Sequence, residues 1–266
     1  MKKIMFAAAL AAALAATADI ESANTVGYTT RSVVQGNFYL IAVQFSETGA
    51  ASEGADLNAL IKLSSEFTPG TYADDFVGAP DIQVLNATGT GYKHYYYISD
   101  ATDDNDKELG YNCWADSDGY ALTDADKLAL GKGFWLKATA TGTITVMGDV
   151  AGSASKVISF PANQFFIMAN PFPKATSFAD VITSGITTST YAADFAGASD
   201  IQVLNASATG YKHYYYISDA TDDNDDEVGY NCWADSDGYI LSGTQVEAGA
   251  SFWIKANAAG TMGFTR

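Results

Sequence analysis

Residues that commonly carry catalysis are scarce in this chain. Its 266 residues include two histidines and two cysteines, and they contain no recognisable nucleophile motif. Nearly half of the residues are hydrophobic, which is enough to build a packed core and disfavours wholesale disorder. We therefore predict a folded protein that is not an enzyme.

Basic residues are also scarce, with 14 lysines and arginines against 31 acidic residues and a formal net charge of −17. Binding to nucleic acid or to an anionic membrane surface needs a basic face, so we expect neither partner. The apolar run at Ile4–Ala15 is shorter than the roughly 20 residues of a membrane span, and no later segment approaches that length. We expect no membrane span.

The N-terminus has the pattern of a secretory signal peptide. Lys2 and Lys3 precede the apolar run, and Ala16-Thr17-Ala18 supplies the small residues of a cleavage site. We predict that residues 1–18 are removed and that the protein is secreted, either into the extracellular medium or onto the cell surface.

The dominant feature of the sequence is an internal repeat. Residues 79–121 and 198–240 differ at six positions and are related by a constant offset of 119. Weaker matches align residues 37–41 with 163–167 and residues 131–137 with 249–255. A period this long indicates duplication of a whole domain rather than a solenoid. We predict a first repeat domain at residues 19–147 and a second at residues 148–266.

Each repeat has the pattern of β-structure. Apolar, aromatic and β-branched runs recur between turns rich in Gly, Asn and Asp, as strands do. Short helices are expected at Leu57–Leu63, after Asp56 as N-cap, and at Ser177–Ile182. The pattern favours an all-β protein of two tandem homologous β-sandwich or jelly-roll-like domains, with one short helix each. The predicted strands include Phe38–Val43, Ile82–Leu85, Tyr92–Ser99, Phe134–Ala138, Thr143–Met147 and Phe165–Ala169.

Two stretches resemble known groups of exported proteins. Residues 20–28 (IESANTVGY) resemble the "SANTVGY" opening of exported proteins of unknown function from the Verrucomicrobia–Lentisphaerae group. Residues 169–173 (ANPFP) and 249–255 (GASFWIK) are similar to NP[YF]P and GxxFW[LI]K motifs in β-domains of Bacteroidetes surface proteins. The first repeat departs from that pattern, because Val43-Gln44-Phe45 stands in place of the Asn-Pro turn. The resemblance implies an extracellular β-domain protein and carries no catalytic residues.

Acidic residues crowd one loop in each repeat. Ca²⁺ takes six to eight oxygen ligands, which closely spaced carboxylates can supply, so calcium is a candidate cofactor. The spacing is not that of an EF-hand, since Asn105 stands where that loop needs Gly. The alternative is a solvated acidic surface. The candidate metal ligands are Asp100, Asp103, Asp104, Asp106, Glu108, Asp219, Asp222, Asp223, Asp225 and Glu227.

The strand that precedes each acidic loop carries a histidine among tyrosines. On a strand, His94, Tyr96 and Ile98 share one face, while Lys93, Tyr95 and Tyr97 share the other. A histidine beside a carboxylate can serve acid–base chemistry. We favour instead a partly buried histidine in an aromatic cross-strand ladder, for His94 and for its copy His213.

The aromatic residues of these segments form a second candidate site. Amphipathic rings stack on sugars, although alternation along a strand also sends half of any aromatic run into the core. The candidate ligand-binding residues are Tyr95, Tyr97, Trp114, Tyr214, Tyr216 and Trp233.

Cys113 and Cys232 occupy equivalent positions of the two repeats. Disulfides persist in exported proteins, but the Cα atoms of a bridge must approach within about 4.4–6.8 Å. Equivalent residues of two domains come that close only near a pseudo-two-fold axis. We predict two unpaired, buried thiols.

The favoured function is that of an exported structural or surface-interaction protein, such as a fibre subunit, an extracellular matrix component or an adhesin. The alternatives are a carbohydrate-binding module that uses calcium and a polysaccharide hydrolase with paired carboxylates. The terminal segments Thr25–Arg31 and Gly260–Arg266 resemble strands that each lack a neighbour. Strand addition at these ends would give head-to-tail self-association, and the alternative, slightly favoured, is a monomer in which both strands complete their own domain's sheet. A glycan is the other candidate partner.

Overall fold

A computed structural model describes residues 26–47 and 54–266. The predicted signal peptide and residues 20–25 of the SANTVGY segment lie outside these ranges. The described chain is mostly β-structure, as predicted, with one four-residue α-helix and two short 3-10 helices. None of the helices in the described ranges is long and apolar enough to cross a membrane.

Eleven described strands belong to the first repeat and eight to the second. In the first repeat they are β1 (Val26–Val33), β2 (Phe38–Ala42), β3 (Phe45–Ser46), β4 (Gly54–Ala55), β5 (Ile61–Leu63), β6 (Asp81–Leu85), β7 (Tyr92–Ile98), β8 (Cys113–Ala115), β9 (Leu128–Ala129), β10 (Gly133–Lys137) and β11 (Gly142–Val150). In the second they are β12 (Ser155–Phe160), β13 (Phe165–Ala169), β14 (Ile182–Ser184), β15 (Asp200–Leu204), β16 (Tyr211–Ile217), β17 (Cys232–Ala234), β18 (Ser251–Lys255) and β19 (Gly260–Thr265). The helices are α1 (Leu57–Leu60) and the 3-10 helices Asp124–Asp126 and Phe178–Asp180.

The helix predictions were right in place and wrong in length. Asp56 is the N-cap of α1, and its carboxylate accepts a hydrogen bond from the Asn58 amide at 2.8 Å. The helix ends at Leu60 because residues 61–63 form β5, which pairs with β11. The second predicted helix is a single 3-10 turn, followed by β14. Tertiary pairing overrides helix propensity at both places.

The two repeats contribute five-stranded antiparallel sheets of the same order. The first is β2-β10-β6-β7-β8 and the second is β13-β18-β15-β16-β17. Each repeat also has a smaller sheet. In the first repeat its order is β1-β11-β3, with β5 also paired to β11, and in the second repeat its order is β12-β19-β14. A two-stranded ribbon, β4-β9, belongs to the first repeat.

Each repeat has its own main apolar cluster. Phe134 and Trp114 are buried in the first cluster, and Phe252 and Trp233 are buried at the equivalent positions of the second. Strand β2 is buried on both faces, which is typical of a strand with a continuous apolar run. Tyr39 and Ile41 face the core of the first repeat, while Leu40 faces the second repeat.

The repeats meet through the edge strands of their five-stranded sheets, in a region that we call the junction. The Ala42 amide donates to the Gly249 carbonyl at 3.0 Å, and the equivalent Ala169 amide donates to the Gly131 carbonyl at 2.9 Å. Reciprocal bonds of this kind relate the repeats by a pseudo-two-fold axis. A small apolar cluster fills the junction; its members are Leu40, Leu85, Trp135 and their copies Ile167, Leu204 and Trp253.

Strand registers correct the sequence alignment of the repeats by one residue. Phe134 pairs with Ile41, and Phe252 pairs with Met168. Phe38 is therefore the counterpart of Phe165. Two sheets per repeat are compatible with two tandem sandwiches, but the five-stranded sheets also contact each other across the junction.

Of the two alternatives for the C-terminal strand, the structure shows the one in which the strand completes the sheet of its own repeat. Strand β19 is the central strand of its sheet, with β12 on one side and β14 on the other. Its side chains Met262 and Phe264 are buried in the core of the second repeat. The C-terminus therefore completes its own sheet and is not free to add to another chain.

Truncation after Ala259 should consequently unfold the second repeat, because it removes a central strand and two buried core side chains. We expect loss of the repeat's cooperative transition in thermal unfolding followed by circular dichroism. Removal of the exposed Arg266 alone is the matched control and should leave the transition within about 0.5 kcal/mol of the full chain. An unchanged melting curve after the longer truncation would contradict this placement of β19.

Candidate functional site

Four of the six aromatic residues predicted to bind a ligand are buried in the core, and the other two are partly buried. Tyr95 and Trp114 are 2% and 1% exposed, and their copies Tyr214 and Trp233 are also buried. Tyr97 and Tyr216 pack against the same two clusters. One face of β7 and of β16 is turned toward the core, so most of the surface of these rings is used in packing.

Carboxylates of the acidic loops accept hydrogen bonds from backbone amides, both of the same loop and of a neighbouring one. The Asp100 carboxylate accepts from the amides of Tyr72 and Ala73 at 2.7 and 3.1 Å. The Asp103 carboxylate accepts from the amides of Asn105 and Lys107, which lowers the pKa of Asp103. Asp219 and Asp222 do the same in the second repeat, with the pKa of Asp222 lowered by the same cause.

The other acidic residues of these loops point in different directions. Asp106 accepts from the Tyr120 hydroxyl at 2.7 Å, as Asp225 does from Tyr239 at 2.9 Å. The remaining predicted ligands, Asp104, Glu108, Asp223 and Glu227, are exposed. Within residues 26–47 and 54–266, no group of three or more His, Cys, Asp or Glu side chains is arranged to hold a metal ion. Calcium binding stays a prediction.

The histidines form the same polar cluster twice. His94 Nδ1 lies 3.0 Å from Asp81 Oδ1, and Gln83 donates to the other oxygen of Asp81 at 2.7 Å. The His94 ring stacks beside Tyr96, which stacks on Phe76 with ring centroids 4.1 Å apart. The copy pairs His213 with Asp200 at 3.1 Å. This is a half-buried histidine in an aromatic ladder with one carboxylate partner.

Both cysteines are free thiols. Cys113 is buried and Cys232 is half-buried, and burial raises the pKa of each thiol. A raised pKa keeps them protonated and weakly reactive at neutral pH.

An aromatic cleft of about 330 Å³ opens where the two five-stranded sheets meet. Tyr92 of the first repeat and Tyr211, Phe165 and Trp253 of the second line this cleft. Trp135 contacts Trp253 across the junction, with ring centroids 6.4 Å apart. Since Trp135 and Trp253 are equivalent residues, the cleft lies close to the pseudo-two-fold axis.

Each tyrosine of the cleft interacts with the tryptophan of its own repeat, Tyr92 with Trp135 and Tyr211 with Trp253. Burial raises the pKa of both tyrosines above the ordinary value for tyrosine. Both hydroxyls therefore stay protonated at physiological pH and can donate a hydrogen bond to a ligand.

The turn between β6 and β7 forms one wall of the cleft and needs glycine. Gly89 has a φ of +67°, and a Cβ at this position would lie 3.0 Å from the Phe165 carbonyl oxygen. The equivalent Ala208 also has a positive φ, of +56°. The turn of the first repeat therefore packs against the second repeat in a way that excludes a side chain.

The cleft rings are far more exposed than the predicted platform. Tyr92 and Tyr211 are 39% and 40% exposed, and Phe165 is similarly open. Gln202 and Thr90 add polar groups to the rim. Flat aromatic faces beside hydroxyl and amide groups can stack on a sugar ring and hydrogen-bond its hydroxyls.

Sequence reasoning missed this site, although a signal was present. Side chains alternate between the two faces of β7, so Tyr92 lies on the same face as His94 and Tyr96, and Tyr95 and Tyr97 lie on the opposite face. The sequence did not show that this second face meets the tryptophans of the other repeat.

Comparison with known proteins adds nothing to this geometry, because no family model, curated protein or solved structure matches the chain.

Proposed function

We propose that this chain is an exported surface-interaction protein of the adhesin type, and that it binds a polysaccharide in the aromatic cleft. In this proposal the chain consists of two tandem β-sandwich or jelly-roll-like domains, and the cleft forms where they join. The observation that carries the proposal is the cluster of exposed aromatic rings, contributed by equivalent residues of both repeats. Junctions between domains are common places for ligand sites.

The charge of the protein indicates which polysaccharides fit the cleft. A net charge of −17 repels polyanions at long range, so a neutral glycan is the expected ligand. The cleft volume of about 330 Å³ is near the lower end of the range for small ligands, which suits a short segment of a sugar chain. Because the aromatic rings face solvent, the rest of the polysaccharide can extend out of the cleft.

Binding is favoured over hydrolysis by the residues of the cleft itself. A glycosidase uses two carboxyl groups that flank the scissile bond at separations of about 5–9.5 Å. No Asp or Glu is among the described residues that line the cleft. We therefore propose a site that holds a glycan without cleaving it.

Replacing Tyr92 or Tyr211 by Ala should weaken glycan binding about five- to tenfold, since one aromatic contact contributes roughly 1–1.5 kcal/mol. A glycan array with full-length protein would identify the ligand, and calorimetry would then measure the affinity of each variant. The double variant should bind weakest.

Tyr111→Ala is the matched control, because Tyr111 is an exposed tyrosine that does not line the cleft. Equal affinity in the cleft variants and the control would reject the cleft as the binding site. The absence of any glycan ligand on a broad array would reject the function itself.

We also propose, from the acidic loops alone, that Ca²⁺ binds to the folded protein. Millimolar Ca²⁺ should then raise the melting temperature relative to EDTA at matched ionic strength. The Asp104→Asn/Asp223→Asn variant, which alters one exposed carboxylate per repeat, should show a smaller rise. Coincident melting curves of the unaltered protein in Ca²⁺ and EDTA would mean that the loops are solvated surface.

A second candidate function, the fibre subunit, is favoured by the edge of β1. Within the described residues β1 pairs only with β11, and its side chain Tyr28 is 72% exposed. Exposed strand edges pair with other chains. We expect concentration-dependent high-mass species in light scattering after size exclusion, and Tyr28→Lys should reduce them. A single monomer peak at every concentration would argue against self-association.

A further inference from the structure

A second, larger cavity lies between the repeats. This groove of about 800 Å³ separates β1 of the first repeat from the loop at residues 244–251 of the second. It shares no lining residue with the aromatic cleft. Its volume lies within the range of small-molecule sites, which often form between domains.

Arg31 is the charged group that distinguishes this groove. Its guanidinium donates to the Leu40 carbonyl at 2.9 Å and lies 5.1 Å from the centre of the Tyr39 ring. No carboxylate in the described residues lies within ion-pair distance of it, although the chain has 31 acidic residues. Glu247 lines the groove but is exposed, as is Lys212.

The environment of Arg31 favours an anion. Burial lowers the pKa of Arg31, so the guanidinium has lost hydration without gaining an acidic partner. A guanidinium carries five N–H donors in a fixed fork, and the described residues give it one acceptor. The remaining donors match the two oxygens of a carboxylate.

The duplication offers an internal comparison for this position. Arg31 pairs with Ile144 in the first repeat, and Ile158 pairs with the equivalent Met262 in the second. Ile158 packs against Gly131, where a Cβ would lie 1.9 Å from its Cδ1 atom. The second repeat therefore has an aliphatic, packed side chain at the strand position where the first repeat places a guanidinium in a groove.

We propose that the groove between β1 and residues 244–251 binds a small hydroxylated carboxylic acid of the uronate type, with its carboxylate on Arg31. The hydroxyl-bearing residues Thr29, Ser32 and Thr244 line the same groove and suit the hydroxylated body. This site is separate from the aromatic cleft and does not depend on the glycan function proposed for it.

Calorimetry on the full-length protein with sodium glucuronate and with glucose tests the proposal, because the two sugars differ chiefly in the carboxylate. Glucuronate should bind at least about tenfold more tightly than glucose. Arg31→Ile, which copies Ile158, should abolish that preference. Arg31→Lys should weaken it, because an ammonium group cannot make the two-pronged contact. Arg266→Lys is the control and should leave it unchanged.

Several results would overturn the proposal. One is equal binding of glucuronate and glucose by the unaltered protein, and another is undiminished glucuronate binding by a folded Arg31→Ile variant. Loss of glucuronate binding in Tyr92→Ala/Tyr211→Ala would place the ligand in the aromatic cleft instead. Binding of inorganic phosphate as tightly as glucuronate would show that the groove recognises any oxyanion, and would reject the uronate class.

Discussion

The structure depends on a pair of backbone hydrogen bonds that cross the junction in both directions. The amides of Ala42 and Ala169 each reach the carbonyl oxygen of a glycine in the opposite repeat. These two bonds fix β2 against β18 and β13 against β10, and they bring Trp135 and Trp253 close to the axis. The aromatic cleft, the Arg31 groove and the apolar cluster between the sheets are all formed by residues at this junction. Buried backbone groups must be paired, so the junction has little freedom to slide.

A polar side chain at the junction breaks its symmetry. Gln44 is almost fully buried and donates to the carbonyl oxygens of Asn170 and Phe172, at 3.1 and 2.7 Å. Its counterpart in the second repeat is Pro171, which has no such donor. The first repeat therefore binds the Asn-Pro turn of the second, and the departure of Val43-Gln44-Phe45 from that motif has a structural role. The first repeat supplies the donor of these hydrogen bonds, and the turn of the second repeat supplies the acceptors.

Much of the fold could be predicted from the sequence because the repeat displays its pattern twice. Strand β13 was predicted at its observed bounds, and β7 differed by one residue, since apolar alternation and turn residues are local signals. The helix at Leu57–Leu63 was predicted too long because β11 competes for residues 61–63. The central place of β19 depends on β14, which is distant in sequence and gives only a weak strand signal.

The candidate site was harder to predict for the same physical reason. Alternation on β7 shows which residues share a face, but it does not show which of the two faces meets solvent. Burial of Tyr95 and exposure of Tyr92 are decided by the second sheet and the second repeat, which are packing partners from far along the chain. Tyr92 lies on β7 and Trp135 on β10. These two strands come close only because both pair with β6, which lies between them in the sheet.

Two of the six differences between the near-identical blocks lie where the repeats have different neighbours. Ser199 replaces Pro80, and its hydroxyl bonds the side chain of Asn257 at 3.1 Å, whereas Asn257 corresponds to Thr139 in the first repeat. Gly89, which packs against Phe165, is replaced by Ala208. At these two positions, the sequence differs where the surroundings depart from pseudo-symmetry. Outside the blocks, the equivalent residues Arg31 and Ile158 also have different neighbours. Arg31 lines a groove, whereas Ile158 packs on Gly131.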